Sequence, residues 1–164
     1  MKCRVTIAVL AAVLVVGCTE SPQGPTDALD PNFDGASNCY TPRFHVNIVP
    51  TGMWTGEGEV TGELVGSVSV VFDPASVTFA GATLKNSGIL YWHIDEGIIP
   101  GLGEFETTFE NYIVLTDRPG SPAGTSEISS TYRALSGVSK ANLTSRGNFE
   151  GGLVDSDFQG VICP

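Results

Sequence analysis

Hydrophobic and polar residues alternate along most of the chain after residue 38, and alternation of this kind predicts β-strands with one buried face. Residues 58–72 show the pattern over the longest stretch. Gly62 and Gly66 would allow so long a strand to bend, as sheets do when they close into barrels. The face predicted to be buried carries Val60, Leu64, Val68, Val70 and Phe72.

Further strands are predicted at residues 43–49, 76–80, 88–95, 103–109, 111–116, 127–133, 138–145 and 153–162. Turn-forming residues separate these segments, at Asp73-Pro74, Asn86-Ser87-Gly88, Gly97, Pro100-Gly101, Pro119-Gly120, Ser136-Gly137 and Gly151-Gly152. No stretch beyond residue 17 has the sustained apolar period of a helix. The fold is therefore predicted to be all-β, a single antiparallel barrel of about eight strands, with a β-sandwich as the second choice.

The residues predicted to point inward are bulky. An eight-stranded barrel has room either for packed side chains or for one small ligand, so bulky inward residues favour a filled interior. The predicted inward set is Val68, Val70, Phe72, Leu90, Trp92, Ile94, Phe105, Phe109, Leu143 and Phe158.

The start of the chain has a different pattern. Lys2 and Arg4 precede an apolar run at residues 5–16 that is too short to span a bilayer as a stable anchor, an order typical of a secretory signal peptide. The run ends on Val15, Val16, Gly17 and Cys18, which resembles the lipobox of bacterial lipoproteins. The resemblance implies cleavage after a signal peptide of residues 1–17 and acyl chains, palmitate among them, that anchor Cys18 in a membrane. The alternative is an ordinary secreted protein that is cleaved elsewhere.

Thr19 bears on which membrane holds the anchor. In lipoproteins of two-membrane bacteria an aspartate at this position commonly causes retention at the inner membrane, so Thr19 implies the outer membrane, with the periplasmic and surface faces both open. Residues 18–38 are rich in proline and small polar residues and have too little apolar surface to fold alone. They are predicted to form a flexible tether. Residues 39–164 are predicted to form the β domain.

Two cysteines belong to the predicted domain. Cys3 leaves with the signal peptide and Cys18 takes the lipid, so Cys39 and Cys163 remain, in a compartment that permits disulfides. They are predicted to form a disulfide, and this bond would make the first and last strands neighbours. The alternative is a pair of free thiols in a metal or redox site, although neither has a second cysteine at C-x-x-C spacing.

The charge of the chain argues against nucleic acid as a partner. Removal of residues 1–17 takes away Lys2 and Arg4 and no acidic residue, so the formal charge changes from −10 to −12. Such a chain repels phosphate backbones. We interpret the acidic surface as a means of keeping the domain soluble near an anionic membrane.

Glycines interrupt the alternating pattern in the last third of the chain, at Leu135-Ser136-Gly137, Gly147, Gly151-Gly152 and Gly160-Val161-Ile162. This glycine spacing resembles the ending of small secreted barrels of the allene oxide cyclase and dirigent type. The resemblance implies a closed eight-stranded barrel and transfers no catalytic residue.

Candidate catalytic chemistry is sparse. His93 shares a strand face with Tyr91 and Asp95, so a histidine oriented by a carboxylate is conceivable as a general base. The preferred interpretation is that these residues form the outer face of the strand, with Leu90, Trp92 and Ile94 inside. The paired acids at 57/59, 104/106 and 155/157 are interpreted as solvated strand faces, and no serine lies in a Gly-x-Ser-x-Gly turn. We predict no catalytic site and no cofactor.

One segment has the order of oxygen ligands seen in a calcium loop. Asp30, Asn32, Asp34 and Gly35 resemble its first half. The twelfth position is Thr41 where a bidentate glutamate belongs, and Pro31 lies inside the segment. We interpret it as a linker and predict no metal site.

Three classes of function compete. The first choice is a structural or protein-interaction module of the cell envelope, held to the membrane by its acyl chains and meeting an envelope protein. The alternative is a lipocalin-like binder of a small apolar ligand, with Trp54, Tyr91 and Trp92 as candidate lining residues. A barrel isomerase ranks last, because no nucleophile, base and orienting group can be assembled. Trp54 itself is either an exposed recognition residue or a plug at a barrel end.

Overall fold

A computed structural model describes residues 38–115 and 125–164. Within these ranges the only helical element is a 3₁₀ turn at Pro74–Ser76. The strands are β1 Arg43–Pro50, β2 Thr55–Gly62, β3 Leu64–Phe72, β4 Thr78–Ala80, β5 Thr83–Gly97, β6 Gly103–Val114, β7 Ser126–Ser136, β8 Lys140–Glu150 and β9 Leu153–Cys163.

Several predictions fall outside the described residues. These are the signal peptide at 1–17, the lipidation site Cys18, nearly all of the tether, the calcium-like segment with Asp30, Asn32 and Asp34, and the turn at Pro119-Gly120. They remain predictions from the sequence.

Eight of the strands close into a barrel. Each strand pairs antiparallel with the next along the chain except at β4, where β3 pairs directly with β5, and β9 returns to pair with β1. β4 pairs only with the first residues of β5, from Thr83 to Lys85. The predicted antiparallel barrel of about eight strands is confirmed, with β4 as an additional strand.

The chain ends meet at one end of the barrel, which we call the closed end. Cys39 and Cys163 lie there with their Sγ atoms 2.13 Å apart, and β1 and β9 are neighbours as the sequence predicts. Tyr40 adds a bridge to Ile162 through two backbone hydrogen bonds of 2.8 and 3.0 Å. Ile99 and Leu102, from the loop after β5, are buried.

The opposite end, which we call the mouth, carries the loop at residues 51–54 between β1 and β2 and the turn at residues 151–152 between β8 and β9. β3 also ends there and β5 begins there. The two ends of the barrel are therefore built from different loops and different residues.

The prediction of one long bent strand at residues 58–72 is wrong. The chain reverses at Glu63, so this stretch contributes to both β2 and β3. Gly62 makes the reversal possible, since its φ of 110° lies in a region that favours glycine. The Arg43 backbone N–H donates to Glu63 Oε2 at 2.6 Å and holds the turn beside β1. Both strands keep the predicted apolar face inside because the turn preserves the alternation.

Two predicted interruptions between strands are also wrong, and both for the same reason. Asn86-Ser87-Gly88 is not a turn but lies within β5, and Asn111 does not begin a new strand but lies within β6. The two asparagines are register partners on these neighbouring strands. Their backbones join the sheet ladder while their side chains are buried, so turn propensity is overridden by strand pairing.

Aromatic side chains fill the interior toward the closed end. The Trp92 ring lies 5.8, 5.5 and 5.6 Å from the ring centroids of Phe44, Phe105 and Phe158, and its Nε1–H donates to Thr107 Oγ1 at 3.0 Å. Tyr132 packs against Phe158 at 4.8 Å. The predicted inward residues all pack in or against this core, and the prediction of a filled interior holds for this part of the barrel.

Candidate functional site

The mouth contains a cavity of about 160 Å³. Most of its lining is apolar and comes from strands on all sides of the barrel. The residues that define its walls are Ile48, Trp54, Phe72, Ile113, Ile128 and Phe149, with Asn86 and Asn111 as the inward-facing polar members. This is the concave, mostly apolar surface with few polar groups that small-molecule sites present.

The loop at residues 51–54 is tied to the strands around it. The N–H groups of Thr51 and Gly52 donate to the Thr55 carbonyl at 3.0 and 3.2 Å, and the Phe72 N–H donates to the Trp54 carbonyl at 2.9 Å. These bonds fix Trp54 at the cavity, where 38% of the residue is exposed. Trp54 is therefore both a plug at the barrel end and an accessible aromatic surface.

The floor of the cavity is formed where an aromatic pair joins the site to the core. Phe72 lines the cavity, and its ring meets the ring of Phe109 edge to face at 5.4 Å. Phe109 in turn packs against Gly88, one inward position from Asn86 on β5. Space on the side toward the closed end is therefore taken, and the Asn86 side chain faces the cavity.

A row of buried polar residues crosses four adjacent strands beneath the mouth. Register pairs link Asn86 to Asn111, Asn111 to Ser130 and Ser130 to Ser145. All four are at least nine-tenths buried. A polar row inside a small barrel is unfavourable unless its atoms are hydrogen-bonded, so the partners of these side chains decide its energetic cost.

The two ends of this row differ in how their polar atoms are satisfied. Ser145 Oγ lies 2.9 Å from the Tyr132 hydroxyl. Burial raises the pKa of Tyr132 to about 12, so this hydroxyl is neutral at physiological pH and available for hydrogen bonding. At the other end, Asn86 Oδ1 is buried and has no hydrogen-bond partner among the described residues. Ser130 Oγ, within the row, and Ser156 Oγ, on β9, also lack one.

The described residues around the cavity carry no ionisable side chain. A charged ligand would lose its hydration there without gaining a counter-ion. The lining therefore suits an uncharged molecule.

The three predicted lining residues are placed in three different environments. Trp54 lines the cavity. Trp92 is only 2% exposed and lies within the aromatic core. Tyr91 faces outward and is 40% exposed. The structure brings only one of the three to the site.

Both histidines lie on the outer wall, each between two carboxylates. His45 Nδ1 and Nε2 lie 3.0 and 3.5 Å from Asp157 and Asp155, and His93 Nδ1 and Nε2 lie 3.3 and 3.2 Å from Glu104 and Asp95. The outer-face interpretation of His93 agrees with this placement. Because each ring nitrogen faces its own carboxylate at an exposed position, these are surface polar contacts of small energetic value. Among the described residues no group of three or more His, Cys, Asp and Glu is arranged to hold a metal ion.

Comparisons of the chain with protein families, with curated proteins and with solved structures give no match. The likeness to barrels of the allene oxide cyclase and dirigent type therefore remains a hypothesis. In the part of the chain that the structure describes, no helix is long and apolar enough to cross a membrane.

Sequence reasoning missed the two buried asparagines of the site. The signal that could have found them is the period of two itself. Leu84, Asn86, Gly88 and Leu90 occupy successive inward positions of β5, so the alternation continues through the supposed turn.

Proposed function

We propose that this protein is a lipid-anchored cell-envelope protein whose barrel binds one small, uncharged, largely apolar molecule in its mouth. The observation that carries the binding role is the Asn86 side chain, which lines a mostly apolar cavity and has a buried oxygen without a partner. Buried polar atoms in folded proteins are nearly always paired. Three buried side-chain oxygens of the described residues lack a partner, and Asn86 Oδ1 is the one whose residue lines the mouth cavity, which supports a ligand as its partner.

The volume of the cavity limits the ligand to a compact molecule. An engineered cavity of about 150 Å³ in another protein binds benzene, whereas pockets for drug-sized ligands begin at roughly 300 Å³. At about 160 Å³, this cavity suits a molecule of one or two small rings. It is too small for a long acyl chain.

The packed core toward the closed end supports the same role. A cavity above rigid, interlocked rings keeps its shape without a ligand, and a preformed site loses less conformational freedom on binding. Trp92 and its ring partners provide that support.

The anchoring part of the proposal rests on the Val15, Val16, Gly17, Cys18 motif. The first described residues approach the barrel at the closed end, through Cys39. A chain anchored through Cys18 would therefore enter the described domain at the closed end.

Metabolic labelling with palmitate tests the anchor. The wild-type chain is expected to carry the label, and a Cys18→Ala variant is expected to lose it. A matched Cys3→Ala variant should still be labelled, since Cys3 lies in the segment to be removed. A Cys18→Ala chain that keeps the label would exclude the assignment.

Equilibrium dialysis tests the binding role. The full chain is reconstituted in phospholipid vesicles and dialysed against indole, with empty vesicles as the blank. We expect saturable binding of one indole per chain and a loss of about tenfold or more in affinity for Ile128→Phe, which would fill the cavity. Val71→Phe on the exposed outer wall is the matched control and should bind normally. Absence of saturable binding, or equal binding by Ile128→Phe, would refute the proposal.

A second candidate, a protein-interaction module, is favoured by one observation. Met53 is 87% exposed and Phe79, on β4, is 68% exposed, and both lie toward the mouth. Exposed apolar residues of this size at one end of a small domain are common in protein-binding surfaces. Failure of indole and related compounds to bind would leave this role as the better explanation of the mouth.

A further inference from the structure

We infer that the ligand carries a hydrogen-bond donor, an N–H or O–H group, that donates to Asn86 Oδ1. This inference rests on the proposed function and deepens it, because it specifies the chemistry that distinguishes the ligand from other molecules of the same size.

The position of Asn86 removes the other ways in which its oxygen could be satisfied. Asn86 lies on β5 with Asn111 of β6 as its register partner, and only 9% of the residue is exposed. Solvent therefore reaches little of it. No described residue donates to Oδ1, including its register partner Asn111.

The surroundings of the amide explain why a donor from the ligand would be selective. Phe72, Ile113 and Trp54 surround the cavity with apolar surface. In such surroundings an unpaired carbonyl oxygen is unfavourable, and a bond to it is stronger than the same bond in water. A ligand without a donor would leave the oxygen unpaired.

The other features of the site narrow the ligand class further. The absence of ionisable lining residues among those described excludes a charged ligand, and the volume of about 160 Å³ restricts its size. The ligand class is therefore a small, uncharged ring compound with one donor group, of the kind that phenol and indole represent.

Three probes of nearly equal shape separate the donor from the ring. Indole has an N–H donor, indene has none, and benzofuran offers only a weak acceptor at the corresponding position. Their dissociation constants are measured by the same dialysis against the full chain in vesicles. We expect indole to bind the wild-type chain about tenfold more tightly than indene or benzofuran, the difference that one buried hydrogen bond supplies.

The variant Asn86→Leu tests whether Asn86 is the acceptor. It should weaken indole binding to the level of indene, while indene binding is unchanged or stronger. Asn47→Leu, on the exposed outer face of β1, is the matched control and should keep the preference for indole. Preservation of the indole preference in Asn86→Leu would overturn the assignment of the acceptor.

The outcomes separate this inference from the proposed function. Equal binding of indole and indene to the wild-type chain, or a preference for benzofuran, would refute the inference that the ligand carries a hydrogen-bond donor. The proposal that the barrel binds a small ligand would still stand. Failure of all three probes to bind would refute both. The comparison of probes on the wild-type chain decides the first question even where Asn86→Leu does not fold.

Discussion

The closed end and the mouth of this barrel are built from the same eight strands but bury polar atoms in opposite ways. Toward the closed end, Trp92 Nε1 bonds Thr107 and the Tyr132 hydroxyl bonds Ser145, both within packed rings. At the mouth, Asn86 Oδ1 is buried without a partner beside a cavity. Toward the closed end these buried groups are therefore bonded within the fold, whereas under the function proposed above the partner of Asn86 is a ligand.

The largest effect is expected from truncation in the aromatic core. Trp92→Ala removes a side chain that packs on three rings and leaves a large cavity, so the free energy of unfolding should fall by about 3–5 kcal/mol. Urea denaturation of wild type and variant measures this change. Trp54→Ala is the matched control at the mouth and should cost much less, since Trp54 is partly exposed. Equal losses would mean that stability is not concentrated at the closed end.

The disulfide at the closed end should have the next largest effect. The bond between Cys39 and Cys163 spans 124 residues, and the double variant Cys39→Ser, Cys163→Ser should lose about 2–4 kcal/mol through the greater freedom of its unfolded chain. For a domain of this size that corresponds to roughly 10 °C in melting temperature. Treatment with a reductant should lower the melting temperature of the wild type and not that of the double variant. A wild-type chain unaffected by complete reduction would contradict this expectation.

These two effects concern features that sequence reasoning predicted well. The inward positions of Leu90, Trp92 and Phe158 follow from a period of two, because alternation along a strand depends only on local backbone geometry. The pairing of Cys39 with Cys163 follows from the small number of cysteines available. Closure of the barrel follows once the first and last strands are neighbours.

The site was harder to predict for two physical reasons. Asn86 and Asn111 have the propensities of turn residues, and only pairing with neighbouring strands decides that each lies within a ladder. The cavity depends on how Phe72 packs on Phe109 across the interior, which no local pattern encodes. Trp54 was predicted as a lining residue because a large aromatic residue in a loop is conspicuous.

A pH titration tests whether the core toward the closed end is as dry as its packing indicates. Burial raises the pKa of Tyr132 from 10.0 to about 12. Between these pH values the unfolded chain loses a proton that the folded chain retains, so the free energy of unfolding should fall by about 1.4 kcal/mol per pH unit. Below pH 10 this contribution is constant. The slope should be smaller in Tyr132→Phe, and equal slopes in the two chains would show that Tyr132 is accessible to solvent.

The smallest effects should have opposite signs at the two ends, and they test the comparison most directly. Thr107→Val leaves the buried Trp92 N–H without its acceptor, so it should lower the free energy of unfolding by about 1–3 kcal/mol. Asn86→Leu replaces a buried oxygen that has no partner with an apolar group of similar size, so it should raise the free energy of unfolding by about 1 kcal/mol.

Both variants remove one polar group from the same interior, and urea denaturation of the two chains under the same conditions compares them. If Asn86→Leu destabilises the chain as much as Thr107→Val does, the Asn86 amide is satisfied within the fold and a structural role explains its burial. If Asn86→Leu stabilises the chain, the wild-type residue is maintained against a cost in stability. A cost of that kind is expected where a side chain serves a ligand, because the partner that completes its hydrogen bond is supplied only on binding.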